Sequence, residues 1–356
     1  MKIRSLNART VRVPMEHPHQ TASGTVGESP LVLVDAVTED GTAGHGIVFT
    51  YTPMALQPVA ELIRNVEPLV SGETLAPIEI QQKLARRFRL LGTQGLVGMA
   101  LAGIDMALWD ALARSQEVSL VELLGGKRKR YPAYGAVGYD GECESARSAE
   151  EWVRRGFRGV KAKIGYPSDG EDLRVVRAIR QAIGAEAAIM VDYNQSLTPA
   201  EAVRRLRVLE EEGLAWVEEP VLAHDYQGHA AVAREIRTPV QCGENWWGVQ
   251  DMRHAIEAHA SDYVMADAMK IGGVTGWLRA AALAEAHSIP LSTHLWPELS
   301  AQLLCVTPTA HWLEYADWWN AIVGEPLRME NGECAVDEVK GSGIEWNEAA
   351  IARFSA

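Results

Sequence analysis

Ionisable side chains recur along the middle of the chain, each at or near the end of a short apolar run. Successive ones are 29, 26, 26, 23, 27 and 20 residues apart, about the length of one strand, one helix and the loops that join them. In a parallel α/β barrel all strands end at the same face, so groups with this spacing would meet in one mouth. The seven residues are Lys163, Asp192, Glu218, Glu244, Asp267, His294 and Glu314.

Three consecutive members of this series are carboxylates, at Asp192, Glu218 and Glu244. Carboxylates held together in a partly dry site repel one another and raise each other's pKa unless a cation lies between them. Mg²⁺ prefers oxygen ligands and keeps positions open for water or substrate. The sequence therefore predicts a Mg²⁺ site at these three residues. The alternative is three solvated loop carboxylates, which is the ordinary situation of an isolated Asp or Glu.

Two lysines and a histidine flank the predicted metal site. Lys161 and Lys163 are two residues apart in an apolar run, so both side chains point to the same face of a strand, here the barrel interior. The charges of Lys161 and of the cation would lower the pKa of Lys163 toward a value useful to a general base. Asp267 could hold one ring nitrogen of His294 and leave the other free to move a proton. A lone histidine near a strand end is otherwise an ordinary polar group.

These groups fit the removal of a proton α to a carboxylate. Lys161 and the metal would bind the carboxylate, while Lys163 and His294 would approach the adjacent carbon from opposite faces. Glu314, if protonated, could donate to the oxygen that gains negative charge in the enediolate. One base on each face allows the proton to leave on one side and return on the other, which is racemisation or epimerisation.

Helical patterns fill the gaps between the apolar runs and give a repeating strand and helix order. Thr198 and Glu201 form a capping box at a helix start, and Ser148 and Glu151 predict another helix N-terminus. Strands with little alternation of polar and apolar residues are typical of a sheet covered on both sides. We therefore predict an α/β fold, a (β/α) barrel of modified TIM type over residues 129–320.

The segments on either side of the barrel do not show its repeating order of strand and helix patterns. Residues 1–128 contain strand patterns, a turn at 38–41 and then helical patterns, which predicts an α+β capping domain beside the barrel. Residues 321–356 are expected to return to that domain and complete it. About residues 15–30, between the first two strands, the chain is polar and contains two glycines. This pattern predicts a mobile lid loop over the active site.

Length and composition limit the classes of protein to consider. The chain has 356 residues and is 47% hydrophobic, enough for a full barrel core and a second domain. It has no apolar run of about 18 residues and no signal-peptide pattern, so we expect a cytoplasmic protein without a membrane span. The formal net charge of -13 argues against a nucleic-acid partner. The four cysteines lack metal-ligand spacing and are expected to be buried, reduced thiols.

Several stretches of the chain resemble the enolase superfamily, and within it the mandelate racemase subgroup. Each stretch alone is a weak signal, but the combination is specific and runs over nearly the full chain. The resemblance implies Mg²⁺ on the three carboxylates, Lys163 as the base for the S-configured face and the His294–Asp267 dyad for the other face. It also implies Lys161 on the substrate carboxylate and Glu314 as the electrophilic acid. The stretches are residues 25–27, 49–53, 160–167, 189–196, 217–220, 243–246, 267–277 and 309–314.

The resemblance also implies a substrate pocket. Asn194 would lie near the α-hydroxyl group of the substrate and the metal. His19 and Ser23 are polar at lid positions that are aliphatic in the subgroup, and Ala136 and Ala316 stand in place of a serine and a leucine. The apolar wall that receives an aryl group would consist of Val26, Phe49, Tyr51 and Leu295.

We therefore expect a Mg²⁺-dependent racemase of a 2-hydroxy carboxylate, mandelate or a related acid, that acts through an enediolate. The alternative is a sugar-acid dehydratase of the same superfamily, in which His294 would act as the acid that expels the β-hydroxyl group; polar His19 and Ser23 favour it. A non-catalytic barrel would lack a ligand or a base, and none is missing from the sequence. The resemblance implies a small-molecule carboxylate as partner and an octameric assembly.

Overall fold

The computed structural model of the protein describes residues 1–21 and 24–356. The N-terminal sheet has three antiparallel strands in chain order. The turn predicted at residues 38–41 joins the second strand to the third, and Gly41 N donates to Thr38 O (3.0 Å) within it. The strands are β1 (Ile3–Thr21), β2 (Gly24–Thr38) and β3 (Ala43–Phe49).

Strands β1 and β2 extend into about residues 15–30, where the sequence predicts a lid loop. Their pairing resumes at His19↔Val26 after an irregularity and continues to Thr21↔Gly24. The described part of the predicted lid loop is therefore the end of a β-hairpin and not a loop. Its role as a mobile lid stays a prediction. Many residues of this end are exposed, so the strands need no apolar face there and their polar sequence is typical of a loop. Ser23 lies outside the described residues.

Four helices complete the N-terminal part of the chain. The longest, α3, packs on β3, where a Cβ atom on Gly44 would lie 2.1 Å from Ala111 N, so this close approach requires glycine. By length and composition α3 could cross a membrane, but 83% of its apolar window is buried within the protein. The four are α1 (Leu56–Val70), α2 (Pro77–Arg87), α3 (Gly95–Ser115) and α4 (Leu120–Leu123).

Eight parallel strands within the described ranges form the barrel. The first seven are hydrogen-bonded in chain order, and the eighth pairs with the first. Leu291 N donates to Thr309 O (2.9 Å) and Thr293 N donates to Trp312 O (3.0 Å), which brings the seventh strand beside the eighth and closes the barrel. The strands are β4 (Arg130–Val137), β5 (Gly159–Lys163), β6 (Ala188–Asp192), β7 (Trp216–Glu218), β8 (Val240–Cys242), β9 (Tyr263–Asp267), β10 (Leu291–His294) and β11 (Leu313–Tyr315).

A helix follows each of the first seven barrel strands, as the predicted fold class requires. Thr198 caps one of them as predicted, accepting a hydrogen bond from Glu201 N. The helix start predicted at Ser148 is wrong, because that helix begins at Gly141 and Ser148 lies in its interior. The helices are α5 (Gly141–Arg154), α6 (Asp169–Ile183), α7 (Pro199–Leu209), α8 (Tyr226–Glu235), α9 (Gly248–Glu257), α10 (Gly273–Ala286) and α11 (Pro297–Cys305).

The C-terminal segment contacts both parts of the protein. A short hairpin pairs with the first barrel strand, and the last helix lies against the N-terminal sheet, where Arg9 Nη1 is 2.6 Å from Glu348 Oε2. The elements are β12 (Arg328–Glu330), β13 (Glu333–Ala335) and α12 (Glu348–Phe354). Three cysteines are buried as predicted, but Cys143 is exposed because its helix lies on the outside of the barrel.

Candidate active site

Strand register brings the predicted catalytic groups together at the mouth, the end of the barrel where its parallel strands finish. Lys163 is paired with Asp192 on the neighbouring strand, and Asp192 is paired in turn with Glu218. Further round the barrel, Asp267 is paired with His294. Parallel strands in register finish at the same height, so the regular sequence spacing becomes a ring of ionisable side chains.

Asp192, Glu218 and Glu244 form a buried triad of carboxylates. One oxygen from each lies within 4.8 Å of the other two, and Glu244 Oε2 is buried and accepts no hydrogen bond from the described residues. Burial raises the pKa of Glu218 well above its ordinary value; Lys161 opposes this rise, and the negative charge of Asp192 adds to it. Three converging oxygen ligands with mutual repulsion fit a hard divalent cation such as Mg²⁺.

Neighbouring polar groups orient two members of the triad. Asn194 donates to Asp192 through its backbone N (2.7 Å) and through its side-chain Nδ2 (3.1 Å). Gln241 Nε2 donates to Glu218 Oε2 (3.1 Å), and Trp216 Nε1 donates to the same oxygen (3.3 Å). Outer contacts of this kind fix the direction in which a metal ligand points.

The two lysines lie inside the ring, as predicted from their spacing. Lys161 Nζ donates to Glu218 and lies 2.7 Å from Glu314 Oε1, while Lys163 Nζ donates to Asp192. Burial lowers the pKa of Lys163, but the adjacent Asp192 carboxylate raises it, and the net pKa lies above the ordinary value. The protein groups alone therefore do not lower this pKa, because the carboxylate opposite Lys163 outweighs the charge of Lys161. The predicted lowering also included the charge of the cation and stays a prediction.

His294 and Asp267 form the predicted dyad. His294 Nδ1 is 2.6 Å from Asp267 Oδ2, and Asp267 Oδ1 accepts hydrogen bonds from the backbone N atoms of Met269 and Lys270 (2.8 and 2.9 Å). The other ring nitrogen, Nε2, points into the ring and lies 3.3 Å from Glu244 Oε2. Burial lowers the pKa of His294, but the surrounding carboxylates raise it above its ordinary value. The imidazole is thus stabilised as an imidazolium that can donate a proton into the mouth.

Glu314 lies between Lys161 and His294. Its Oε2 accepts a hydrogen bond from Leu295 N (3.1 Å) and is 3.7 Å from His294 Nε2. Burial raises the pKa of Glu314, but Lys161 and His294 lower it, and the net pKa is below its ordinary value. The protein groups alone therefore favour a carboxylate here, and the protonated form of Glu314 stays a prediction.

Three residues of the site escaped the sequence analysis. Glu219 is fully buried, and its Oε2 accepts a hydrogen bond from Asn245 Nδ2 (2.7 Å), whose Oδ1 accepts one from Lys270 Nζ (2.5 Å). Lys270 Nζ also lies 4.8 Å from the ring centre of Tyr51. A second acid directly after Glu218, and an amide directly after Glu244, were the available signals.

The residues of the predicted substrate wall occupy several positions around the mouth. Phe49 is buried, and its ring centre lies 4.5 Å from that of Tyr51 and 5.8 Å from that of Trp318. His19 is buried against Trp318, with ring centres 5.2 Å apart. Leu295 is buried next to His294, whereas Val26 is half-buried and packs against the hydrophobic core. Their roles toward a substrate remain predictions.

Two family matches cover most of the chain. Residues 4–125 match the family described as mandelate racemase / muconate lactonizing enzyme, N-terminal domain, and residues 144–350 match the enolase C-terminal domain-like family. The chain therefore belongs to the enolase superfamily, within its mandelate racemase subgroup. This confirms the predicted resemblance and the predicted fold class.

Individual relatives define the chain as an enzyme that uses magnesium. The solved structure of an enolase from Bradyrhizobium complexed with magnesium and mandelic acid is 43% identical, with a TM-score of 0.95, and covers 100% of this chain and 98% of that one. L-talarate/galactarate dehydratase of Salmonella typhimurium is 31% identical over 331 residues, 91% of this chain and 82% of its own length. D-galactarolactone cycloisomerase of Agrobacterium fabrum is 30% identical over 378 residues, 99% of each chain. Because such relatives are lyases and isomerases, the family alone leaves the overall reaction open.

Proposed function

We propose that the protein is a Mg²⁺-dependent racemase or epimerase of a 2-hydroxy carboxylate, which acts by moving the proton α to the carboxylate. The observation that carries the proposal is the position of the two candidate bases at opposite ends of the triad. Lys163 contacts Asp192, the first carboxylate, and His294 Nε2 faces Glu244, the last one. A substrate carbon held over the triad would have one base on each face.

The substrate carboxylate would be held by Lys161 and by Mg²⁺ on Asp192, Glu218 and Glu244. When bound, the metal supplies a positive charge that stabilises the second negative charge of the enediolate. Lys161 adds its ammonium group to the same oxygens. A base that removes the proton therefore works against a smaller electrostatic barrier than it would meet in water.

Proton transfer would use one base in each direction. In one direction, Lys163 removes the proton and the imidazolium of His294 returns one to the other face; in the reverse direction the roles exchange. Lys163 must be neutral to act as this base; the protein groups alone oppose that state, and the charge of a bound Mg²⁺ would favour it. Asp267 keeps the His294 ring in place and stabilises its charged form. Glu314, close to both Lys161 and His294, would donate to the carboxylate oxygen as its charge increases.

Mandelate is the first substrate to test, because the Bradyrhizobium relative was crystallised with mandelic acid. The experiment is incubation of a library of 2-hydroxy acids and sugar acids with Mg²⁺ in D₂O, with optical rotation, deuterium at the α carbon and 2-keto acid followed in parallel. Loss of rotation with deuterium incorporation supports the proposal. No exchange from any acid contradicts it.

The second candidate function is dehydration of a sugar acid through the same first step. Buried, polar His19 beside the site favours it, as does the resemblance to L-talarate/galactarate dehydratase. The imidazolium of His294 would then donate its proton to the leaving β-hydroxyl group. Formation of a 2-keto acid separates this reaction from racemisation, since only loss of the hydroxyl group yields that product.

A further inference from the structure

A small void lies where the N-terminal domain, the barrel and the C-terminal segment meet. Its lining comes from strand β3 and helix α3, from the turn after β10 with the start of α11, from the chain after β11, and from the segment between β13 and α12. Its volume, taken as the space open to a water-sized sphere, is about 10 Å³, which is roughly what one water molecule needs. None of the described residues with a proposed catalytic role lines it. We call it the junction void.

Four residues of the lining each carry a buried polar atom that makes no hydrogen bond among the described residues. The exposed fraction of these residues is between 0 and 5%, and the atoms are Trp296 Nε1, Trp319 Nε1, Glu298 Oε2 and Ser342 Oγ. The remaining lining residue with a side-chain nitrogen or oxygen, His45, is already paired through Nδ1 with Asp35 (2.7 Å). A buried polar atom without a partner destabilises the fold, because it has lost the hydrogen bonds that it made to solvent.

The hydrogen-bonding types of the four atoms match a single water molecule. The two indole nitrogens can only donate, the carboxyl oxygen accepts, and the hydroxyl group can do either. A water molecule accepts two hydrogen bonds and donates two, so one water can pair with all four atoms. A cation would be repelled by the two N–H groups, and an anion would be repelled by the carboxyl oxygen. The set of partners therefore favours a neutral ligand that both donates and accepts.

Glu298 is the acidic member of the set. Its other oxygen, Oε1, accepts a hydrogen bond from Leu327 N (3.4 Å). Burial raises the pKa of Glu298, while hydrogen bonds from its own backbone and from Leu327, together with the side chain of Trp319, oppose the rise. The indole of Trp319 is thus close to the carboxyl group, although its Nε1 makes no hydrogen bond of good geometry there. A water molecule between the two groups would join them.

Trp296 belongs to a strained turn beside the proposed active site. Leu295 and Trp296 have φ angles of 53° and 55°, a left-handed conformation that is uncommon for large side chains and needs support from its surroundings. In this turn Leu295 N donates to Glu314 Oε2 (3.1 Å). The ring of Trp296 stacks on that of Trp319, with ring centres 5.2 Å apart. A partner for Trp296 Nε1 would fix this ring and, through it, the turn that holds Glu314.

We propose that the junction void binds one water molecule, which accepts hydrogen bonds from both indole groups and donates to the carboxyl and hydroxyl groups, and that this water positions the turn at residues 295–296. Trp296 is then a positioning residue that acts on Glu314 through the backbone of Leu295. The water site stands on the geometry of the void alone. The positioning part rests on the proposed function, because it uses the role of Glu314 there.

The occupant of the void is identified directly in a crystal structure of the Mg²⁺-loaded protein, with matched crystals soaked in bromide and in rubidium salts. We expect one peak within hydrogen-bonding distance of the four atoms, and no anomalous signal at that place from either ion. An empty void, an anomalous peak, or side chains that pair directly with one another overturns the proposal.

A variant that fills the void tests the site in solution. Ser342→Val replaces the hydroxyl group with methyl groups and should displace the water. Relaxation dispersion of H₂¹⁷O detects long-lived internal waters, and we expect this variant to hold one fewer than the wild type. Thr307→Val is the matched control, because the buried Thr307 hydroxyl accepts directly from Trp277 Nε1 (3.0 Å) and does not line the void. Equal counts in the wild type and Ser342→Val, or the same loss in Thr307→Val, overturns the proposal.

The positioning role is tested by two variants that each lose one indole N–H group. In Trp296→Phe the water loses a partner and the turn is less restrained, so kcat for α-proton exchange should fall about tenfold with little change in KM. Trp277→Phe is the matched control, because Trp277 is also buried and its N–H group pairs directly with Thr307. Its kcat should fall by no more than about threefold. Equal falls in the two variants, or a loss that lies in KM, overturns the positioning part.

Failure of the proposed function gives a different result. If the wild type exchanges no α proton in any acid, the proposed function fails and the positioning part falls with it, whereas the crystal and relaxation measurements still decide the water. If Ser342→Val does not fold, the crystal structure of the wild type decides the occupant by itself.

Discussion

Asp267 and His294 occupy paired register positions on adjacent parallel strands, and this pairing sets their side chains 2.6 Å apart. Two backbone N–H groups fix Asp267. Asp267 in turn holds the His294 ring at Nδ1. Its free nitrogen, Nε2, then points toward the carboxylates of the mouth. A rigid donor aimed at one face of the substrate is what a two-base reaction requires.

The first prediction concerns the independence of the two bases. His294→Asn should abolish turnover of the R enantiomer, because the base for that face is lost, while α-proton exchange of the S enantiomer by Lys163 stays measurable. Deuterium incorporation into each enantiomer in D₂O is the measurement. Lys163→Ala is the matched variant and should give the opposite pattern. Equal loss of both exchanges in the His294 variant would contradict the assignment of one base to each face.

The spacing of the strand-end residues was sufficient to predict the barrel and the residues that meet in its mouth. Each strand of a parallel barrel ends at the same face, so position along the sequence converts directly into position in space. The pKa of Lys163 could not be predicted in this way. Its direction depends on which neighbour is nearest, and Asp192 proves to be the direct partner.

The two helix-start patterns in the sequence had different outcomes, because a local pattern does not report where the surrounding helix begins. Thr198 starts a helix because it is itself extended and the turn before it is not helical, whereas Ser148 has the same pattern within a helix that had already begun at Gly141. The Glu219, Asn245 and Lys270 network was missed because its contacts join three different loops. Sequence patterns report on neighbours along the chain, and these contacts depend on the closed barrel.

The second prediction concerns Glu314, which should act in the transition state more than in substrate binding. Glu314→Gln retains an acceptor for Leu295 N but cannot deliver a proton to the enediolate oxygen. We expect kcat to fall by about 10³-fold with little change in substrate affinity, the pattern of an interaction made mainly in the transition state. Steady-state kinetics together with direct binding measurements separate the two effects. A collapse of binding with unchanged kcat would make Glu314 a positioning residue.

The third prediction concerns removal of the metal. Chelation should abolish α-proton exchange, and added Mg²⁺ should restore it, because the charge of the enediolate is otherwise unbalanced. The same ion should stabilise the fold by relieving repulsion in the triad, by about 2.7 kcal/mol at a concentration 100 times its Kd. Thermal unfolding with and without Mg²⁺ measures this effect. Glu244→Gln should reduce the gain in Tm, and activity that persists after exhaustive chelation would contradict the metal assignment.

The fourth prediction concerns Asp105, a buried carboxyl that the proposed chemistry does not use. It accepts hydrogen bonds from Thr275 N (2.9 Å) and Thr275 Oγ1 (2.6 Å) where helix α3 meets helix α10. Burial raises its pKa from 3.8 to about 7, against the lowering effect of those hydrogen bonds. The folded state thus binds a proton that the unfolded chain releases at lower pH.

A group whose folded pKa lies above its unfolded pKa stabilises the protein fully below the unfolded value and loses that contribution as pH rises through the folded value. Asp105 should therefore make unfolding easier as pH rises from about 4 to about 7, by about 4 kcal/mol at most. The Asp105→Asn side chain cannot titrate. As pH rises across this window, the unfolding free energy of the wild type should therefore fall relative to that of the variant. Denaturant titrations at several pH values, with Mg²⁺ held constant, measure it. A difference that stays constant across the window would mean that Asp105 keeps its charge state on folding, and that its hydrogen bonds to Thr275 compensate for burial.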